Sequence, residues 1–254
     1  MGVYMNKLIY SEEKIIEFLN LLPELENDEV LFIDLFQRNK HISPEDRKTL
    51  GLTRCNVIDR VVCTSKDKVI KHLKRWEANP EGFLTNTNLP IPNEALVPYI
   101  TIQPISVLKA YQEFNRCMTE YLIELGSHTG KVNKENTYHR IKKANNLLLD
   151  CHQHAYSRKV FIDVDYDGDK NAEWLPSFEQ ELTDKNVKFM KVETQGGYHY
   201  LLRKDSLKFN YNLIIDKYKP LADRELEISN NQAIPISGCY QYGNFEVTIA
   251  RVEE

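Results

Sequence analysis

The chain has no run of eighteen or more apolar residues, the least that a membrane-crossing helix needs. Its first residues, MGVYMNKLIYSEEK, have neither the apolar centre nor the small-residue cleavage site of a signal peptide. A soluble, cytoplasmic protein with no membrane partner is therefore expected. Cysteine is sparse: Cys55, Cys63, Cys117, Cys151 and Cys239 are scattered, odd in number and form no C-x-x-C pair. This argues against a disulfide framework and a structural zinc site, and points to reduced, structural thiols. Positive charge is in deficit too. A formal net charge of −4 gives no global attraction to nucleic acid, so any such binding requires a local basic surface. Internal repeats and low-complexity linkers are absent.

What is present suffices for a folded protein. With 254 residues, 42% of them hydrophobic and 28% charged, the chain can bury one sizeable core or two small ones. The segment VLFIDLF at 30–36 reads as a strand, and Ser43-Pro44-Glu45-Asp46 as a capped helix start. A second strand is expected at 57–63, followed by a basic helix opened by Ser65 and stopped near Pro80. A proline-bearing extended stretch leads into a helix from Ser106 to Leu125, ended by Gly126. Another helix is expected from Asn133, with Ile141, Ala144, Leu147 and Leu148 on one face.

Beyond residue 155 the pattern changes. KVFIDVD reads as a strand, AEWLPSFEQEL as a helix despite Pro176, and VKFMKVET with GGYHYLLR as two strands around a Gly-Gly turn. LKFNYNLIIDKY reads as a helix, and RELEIS, QAIPIS and FEVTIARV as strands. The order β-α-β-β-α-β belongs to the ferredoxin-like, split βαβ class of α+β folds. Two lobes are expected, 1–154 with N-terminal α/β and helical character and 155–254 carrying the chemistry.

That chemistry centres on KVFIDVDYDGDKN. Strand side chains alternate in direction, so Ile162 and Val164 share one face while Asp163 and Asp165 share the other, their α-carbons roughly 6.5–7 Å apart. Two carboxylates so close repel, and a divalent cation between them relieves the repulsion. Oxygen ligands favour Mg2+ or Mn2+ over zinc. A calcium loop of the EF-hand type fits poorly, since its twelfth position would be Trp174 where a bidentate Glu is required. The alternative is a strand end followed by a polar turn. His199 projects from the strand after the glycine turn, opposite in direction to Tyr198 and Tyr200, where it could donate to a phosphate oxygen. Glu225 and Glu227 share a strand face and offer a third carboxylate.

These stretches together, FIDVD, QGGYH and LEISNNQAIPISG, resemble the archaeo-eukaryotic primase (AEP) superfamily, particularly its bacterial, plasmid and phage primase-polymerase branch. The resemblance is at the level of motifs over residues 159–239; before that, LFIDLFQRNK is similar to a family segment with phosphate-contacting basic residues. It implies an RRM-like catalytic lobe packed on an N-terminal α/β lobe. It also implies a two-metal nucleotidyltransferase, a DNA primase or polymerase acting in replication or repair in a bacterial or phage-infected cell. Asp163, Asp165 and Glu227 would be its catalytic metal ligands, with Asp223 and Glu225 as rivals for the third place. His199, Arg38, Lys40 and Gly197 would bind the nucleotide. Its partners would be nucleoside triphosphates and a single-stranded or primed DNA template lying over Lys68–Trp76 or Arg203–Tyr218, with a separate helicase or replication protein. The chain departs from the pattern in using Glu where Asp is commoner, in Gly196 where many relatives have serine, and in lacking a helicase domain and a cysteine-rich zinc module. Two other readings stand beside this one: a catalytically reduced nucleotide- or nucleic-acid-binding module of the same fold, and a rolling-circle initiator built on His152-Gln153-His154.

Overall fold

The computed structural model describes residues 6–40, 42–51, 55–85, 88–126, 148, 151, 155–229 and 233–253. Compact packing divides the chain into two units: Met1–Pro23, Leu31–Ile102 and Val160–Glu254 form one, Glu24–Val30 and Gln103–Lys159 the other. The class is mixed α+β with antiparallel sheets. Residues 31–102 and 160–254 thus fall in the same unit, which holds every site residue that the primase resemblance implies.

The first unit opens with α1 (Glu12–Leu21), whose Ser11 cap accepts a hydrogen bond from the Lys14 amide and whose Ile15, Phe18 and Leu19 turn inward. Strand β1 (Glu29–Gln37) is buried along nearly its whole length and lies between β2 (Asn56–Cys63) and β3 (Leu96–Thr101), with its buried Asp34 paired to Arg60 of β2 at 2.6 Å. Between β1 and β2, α2 (Pro44–Thr49) is capped by Ser43 as its sequence predicts. After β2 comes α3 (Asp67–Glu77), which begins two residues later than the expected Ser65 start, with Lys66 at the cap and no side-chain cap bond. Its Val69, Leu73 and Trp76 recur at helical spacing and are buried.

In the second unit, β4 (Ile105–Ser106) pairs with the start of β1 and leads into α4 (Val107–Gly126). Ser106 Oγ donates to Asp28 at 2.5 Å and accepts from the Lys109 amide at 3.1 Å, fixing the first turn of this helix. The helix expected from Asn133 lies outside the described residues except for Leu148 and Cys151.

The site-bearing part runs β5 (Phe161–Tyr166), α5 (Leu175–Asp184), β6 (Phe189–Glu193), β7 (Tyr198–Arg203), α6 (Asn212–Tyr218) and β8 (Leu226–Ile228). Pro176 is accommodated in the first turn of α5, where its missing N–H would have no partner in any case. Strands β8, β5, β7 and β6 lie side by side, all antiparallel, and β12 (Thr248–Glu253) adds to the β6 edge. One face carries Val164, Tyr166, Tyr200, Leu202 and Leu226 onto Phe178 and Leu182 of α5 and Ile214, Ile215 and Tyr218 of α6. Strand β9 (Ala233–Pro235), from QAIPIS, leaves this sheet and pairs with β3, Ile234 opposite Ile100. A small hairpin, β10 (Tyr240–Gln241) and β11 (Phe245–Glu246), precedes β12. Among the described residues no helix is long and apolar enough to cross a membrane.

Candidate functional site

Alternation along FIDVDY decides which side chains reach the face away from α5 and α6. Val164 and Tyr166 enter the helix-covered core, so Phe161, Asp163 and Asp165 point the other way. Register brings their neighbours: Asp165 stands opposite His199 of β7 and Glu227 of β8, and Asp163 opposite Leu201. Phe161, Met190, Val192 and Leu201 are all buried and make the surroundings of Asp163 apolar. Asp163 itself is 1% exposed.

The imidazole of His199 sits between the two aspartates, its Nδ1 3.1 Å from Asp163 Oδ1 and 3.6 Å from Asp165 Oδ1. The second oxygen of Asp163, Oδ2, is buried with no hydrogen-bond partner. A buried carboxylate oxygen without a donor is costly, on the order of 1–3 kcal/mol or more for a charged group, unless a ligand supplies the missing positive charge. Burial raises the Asp165 carboxyl above its ordinary pKa; His199 opposes the rise, while Asp163, Asp167 and Glu227 add to it. For His199, burial alone would lower the pKa, yet Asp163, Asp165 and Asp167 outweigh it and hold the imidazole above its ordinary value. The cluster is thus short of positive charge.

The rival third acids separate in space. Glu227 is the registered neighbour of Asp165 and its charge acts there, whereas Asp223 and Glu225 act on the phenol of Tyr166, which belongs to the helix-covered face. Asp223 lies in an exposed turn with φ +47. Among the described residues, no three His, Cys, Asp or Glu side chains already converge as a metal cage. The donors that fit a hard divalent cation are oxygens: Asp165, the free Oδ2 of Asp163, and Glu227 beside them.

Two cations come from the end of β1. Lys40 bonds Asp167 at 2.6 Å, both side chains about half exposed at 48%. The Arg38 guanidinium lies over the Tyr99 ring, 5.5 Å from its centroid. Tyr99, in β3, is buried with its phenol pushed well above its usual pKa by that burial; Arg38 opposes the rise, and Tyr242 and Asp165 add to it. Gly196 and Gly197 form the turn before His199. A β-carbon on Gly197 would lie 1.9 Å from the Tyr166 carbonyl oxygen, and one on Gly196 would lie 1.9 Å from Asp167 Oδ1. Gly197 is therefore required by the close approach of the backbone, whereas the atom near Gly196 is the end of a side chain. Tyr99 and Tyr242 were not singled out by the sequence, where nothing distinguishes them among 14 tyrosines. The His152-Gln153-His154 pair lies outside the described residues.

No protein-family model, curated protein or solved structure matches the chain.

Proposed function

We propose that the chain is a metal-dependent nucleotidyltransferase of the primase-polymerase type, with an RRM-like catalytic lobe. The strand order β6-β7-β5-β8, with two helices on one face, supports the split βαβ reading of that lobe. The observation that carries the function is the buried Asp163 Oδ2 without a partner, beside Asp165 and a registered Glu227, on the face of that sheet away from α5 and α6.

Asp163, Asp165 and Glu227 would hold Mg2+ or Mn2+, whose part is to lower the pKa of the attacking hydroxyl and neutralise triphosphate charge. The remaining work belongs to the chain's own cations. Carboxylates around His199 favour its protonated form, so with Nδ1 on Asp163 the opposite nitrogen is a donor for a phosphate oxygen. Arg38 supplies a planar fork that matches phosphate geometry, and Lys40 a point charge currently shared with Asp167. Such a site acts by positioning and charge neutralisation. Both candidate template surfaces carry paired cations: on α3 Lys68 and Lys71 face outward while Lys74 and Arg75 pair with Glu12 and Asp59, and on the other Arg203 and Lys217 pair with Asp205 and Glu181.

The test is synthesis on primed and unprimed single-stranded DNA, with all four deoxynucleoside or ribonucleoside triphosphates and Mg2+ or Mn2+, followed by sizing of the products. Metal-dependent, template-dependent products support the proposal. A second reading, a catalytically reduced nucleotide-binding module, is favoured by the His199 contact to Asp163 and by the absence of a preformed three-donor cage among the described residues. It expects nucleotide binding without any product, and no replication enzyme activity under either metal.

A further inference from the structure

A chain of net charge −4 can hold a polyanion only on a local basic surface. One lies at the end of the sheet where β6 begins and β7 finishes, away from the Gly196-Gly197 turn. There Lys185, Asn186 and Lys188, which follow α5, and Asp205, Ser206 and Lys208, which follow β7, line a pocket of about 450 Å³.

The walls of this pocket are tied to each other. The Arg203 amide donates to the Lys188 carbonyl at 2.7 Å, and the Lys188 amide donates to Ser206 Oγ at 3.0 Å. Ser206 Oγ in turn donates to the Arg203 carbonyl at 2.7 Å, and the Lys204 amide to the Val160 carbonyl at 2.8 Å. Asn186 turns the chain out of α5 with φ +54. The lysine stems therefore start from fixed backbone. Lys185, Lys188 and Lys208 are exposed, and none forms an ion pair among the described residues. The one acid in the lining, Asp205, is bonded by Arg203 at 2.6 Å. The pocket thus keeps an excess of positive charge that an anion would relieve. Lys185 Nζ also lies 5.2 Å from the centroid of the Phe209 ring, so a cation and an aromatic side chain stand together at its edge.

The basic surface does not stop at this pocket. Lys188 also lines a second one, of about 160 Å³, with Phe161, Met190 and Arg203. Phe161 is the register partner of Arg203 and lies two residues before Asp163 on the same face of β5, roughly 6.5–7 Å along the strand. Cations thus follow one another from the carboxylate-bearing face round the end of the sheet. A small anion would use one of these places, whereas a chain of phosphates can use them in succession.

We propose that the pocket walled by Lys185, Lys188 and Lys208 binds the phosphodiester backbone of single-stranded nucleic acid, on a path that leads round the Phe161–Arg203 end of the sheet to the carboxylate cluster. That the polyanion is nucleic acid rests on the nucleotidyltransferase reading; the placement of the lysines does not.

The test uses a fluorescently labelled oligodeoxythymidine with the full chain, without divalent metal or triphosphate, and reads anisotropy over a salt series. Lys188→Gln with Lys208→Gln takes one charge from each wall, and since both side chains are exposed the melting temperature should not change. Binding is expected to weaken about 10-fold, uniformly across base sequences. Each phosphate contact to a single strand adds about 0.7 to the slope of log K against log salt, so the slope should become shallower by about 1.4. Lys188→Arg with Lys208→Arg should keep both the affinity and the slope. Lys7→Gln with Lys14→Gln removes the same charge from exposed positions elsewhere and should bind as the wild type does. Equal losses in the two glutamine pairs, wild-type affinity in the pocket pair, or no oligonucleotide binding by the wild type would each overturn the proposal. So would displacement of the oligonucleotide by tripolyphosphate at equal phosphate concentration, which would mark a site for a small polyphosphate. Templated synthesis on the same preparations judges the nucleotidyltransferase reading separately: strand binding through this pocket without synthesis would sink that reading and keep the pocket, and synthesis with unaltered strand affinity in the pocket pair would do the reverse.

Discussion

His199 stands opposite Asp165 in the strand register but bonds Asp163, two residues along β5 on the same face. The imidazole therefore leans along the strand towards the carboxylate that solvent cannot reach, and leaves Asp165, whose side chain is 37% exposed, as the accessible member of the pair. The two aspartates have unequal environments although the sequence repeats them at equal spacing, and unequal responses to mutation follow.

Asp165→Asn removes a charge that burial and three neighbouring carboxylates disfavour. Its metal-free melting temperature at neutral pH should equal or exceed that of the wild type. In the wild type, millimolar Mn2+ with a nucleoside triphosphate should raise the melting temperature, and Asp163→Asn with Asp165→Asn should abolish that rise while the circular dichroism stays native. A double variant that is unfolded, or one that keeps the full metal-dependent rise, would contradict the assignment.

Glu227→Gln should lower metal-dependent turnover by about 100-fold or more, with little change in stability, because its carboxylate adjoins Asp165 at an exposed strand edge. Glu225→Gln should have a small effect, since that side chain acts on Tyr166 on the other face. Steady-state rates of the two variants decide the matter, and a reversed ranking would mean that the β8 register is shifted.

The adjacent glycines should differ in tolerance. Gly197→Ala places a β-carbon against the fixed Tyr166 carbonyl and should cost about 1–3 kcal/mol or more in a denaturant titration. Gly196→Ala meets the end of the Asp167 side chain, which can swing aside at the expense of the exposed Lys40 bond, so its cost should be smaller. Equal costs would argue that the turn adapts as a whole.

Stability on the acid side should depend on Glu179. Burial favours its neutral form, but Lys191 at 2.6 Å, Tyr200 at 2.9 Å and Arg251 at 3.1 Å outweigh burial and hold its pKa below the ordinary value. A group with a depressed folded pKa contributes stability above its unfolded pKa, near 4.5, and loses it as the pH falls through the folded value. Glu179→Gln should therefore lower stability at neutral pH by about 1.5–3 kcal/mol and differ less from the wild type at pH 3. Urea titrations at the two pH values measure this; a difference that grows towards acid would refute it.

Within FIDVDY, the period of two by itself assigned Val164 to a core and Asp163 and Asp165 to the opposite face, because side-chain direction in a strand is a local property. Ser43 capping α2, Pro176 entering α5 and the Gly196-Gly197 turn were legible for the same reason, each depending on a few consecutive residues. The choice of Glu227 over Glu225 rested in the sequence on the family resemblance alone, because which acid neighbours Asp165 depends on the hydrogen-bond register between β5 and β8. Nor was the departure of β9 to β3, for QAIPIS suits either sheet. The meeting of Lys40 with Asp167 spans 127 residues of sequence, and the Tyr99 ring reaches Arg38 from β3. Local chemistry set the elements and the direction of each side chain, while long-range packing decided which of those side chains share one place.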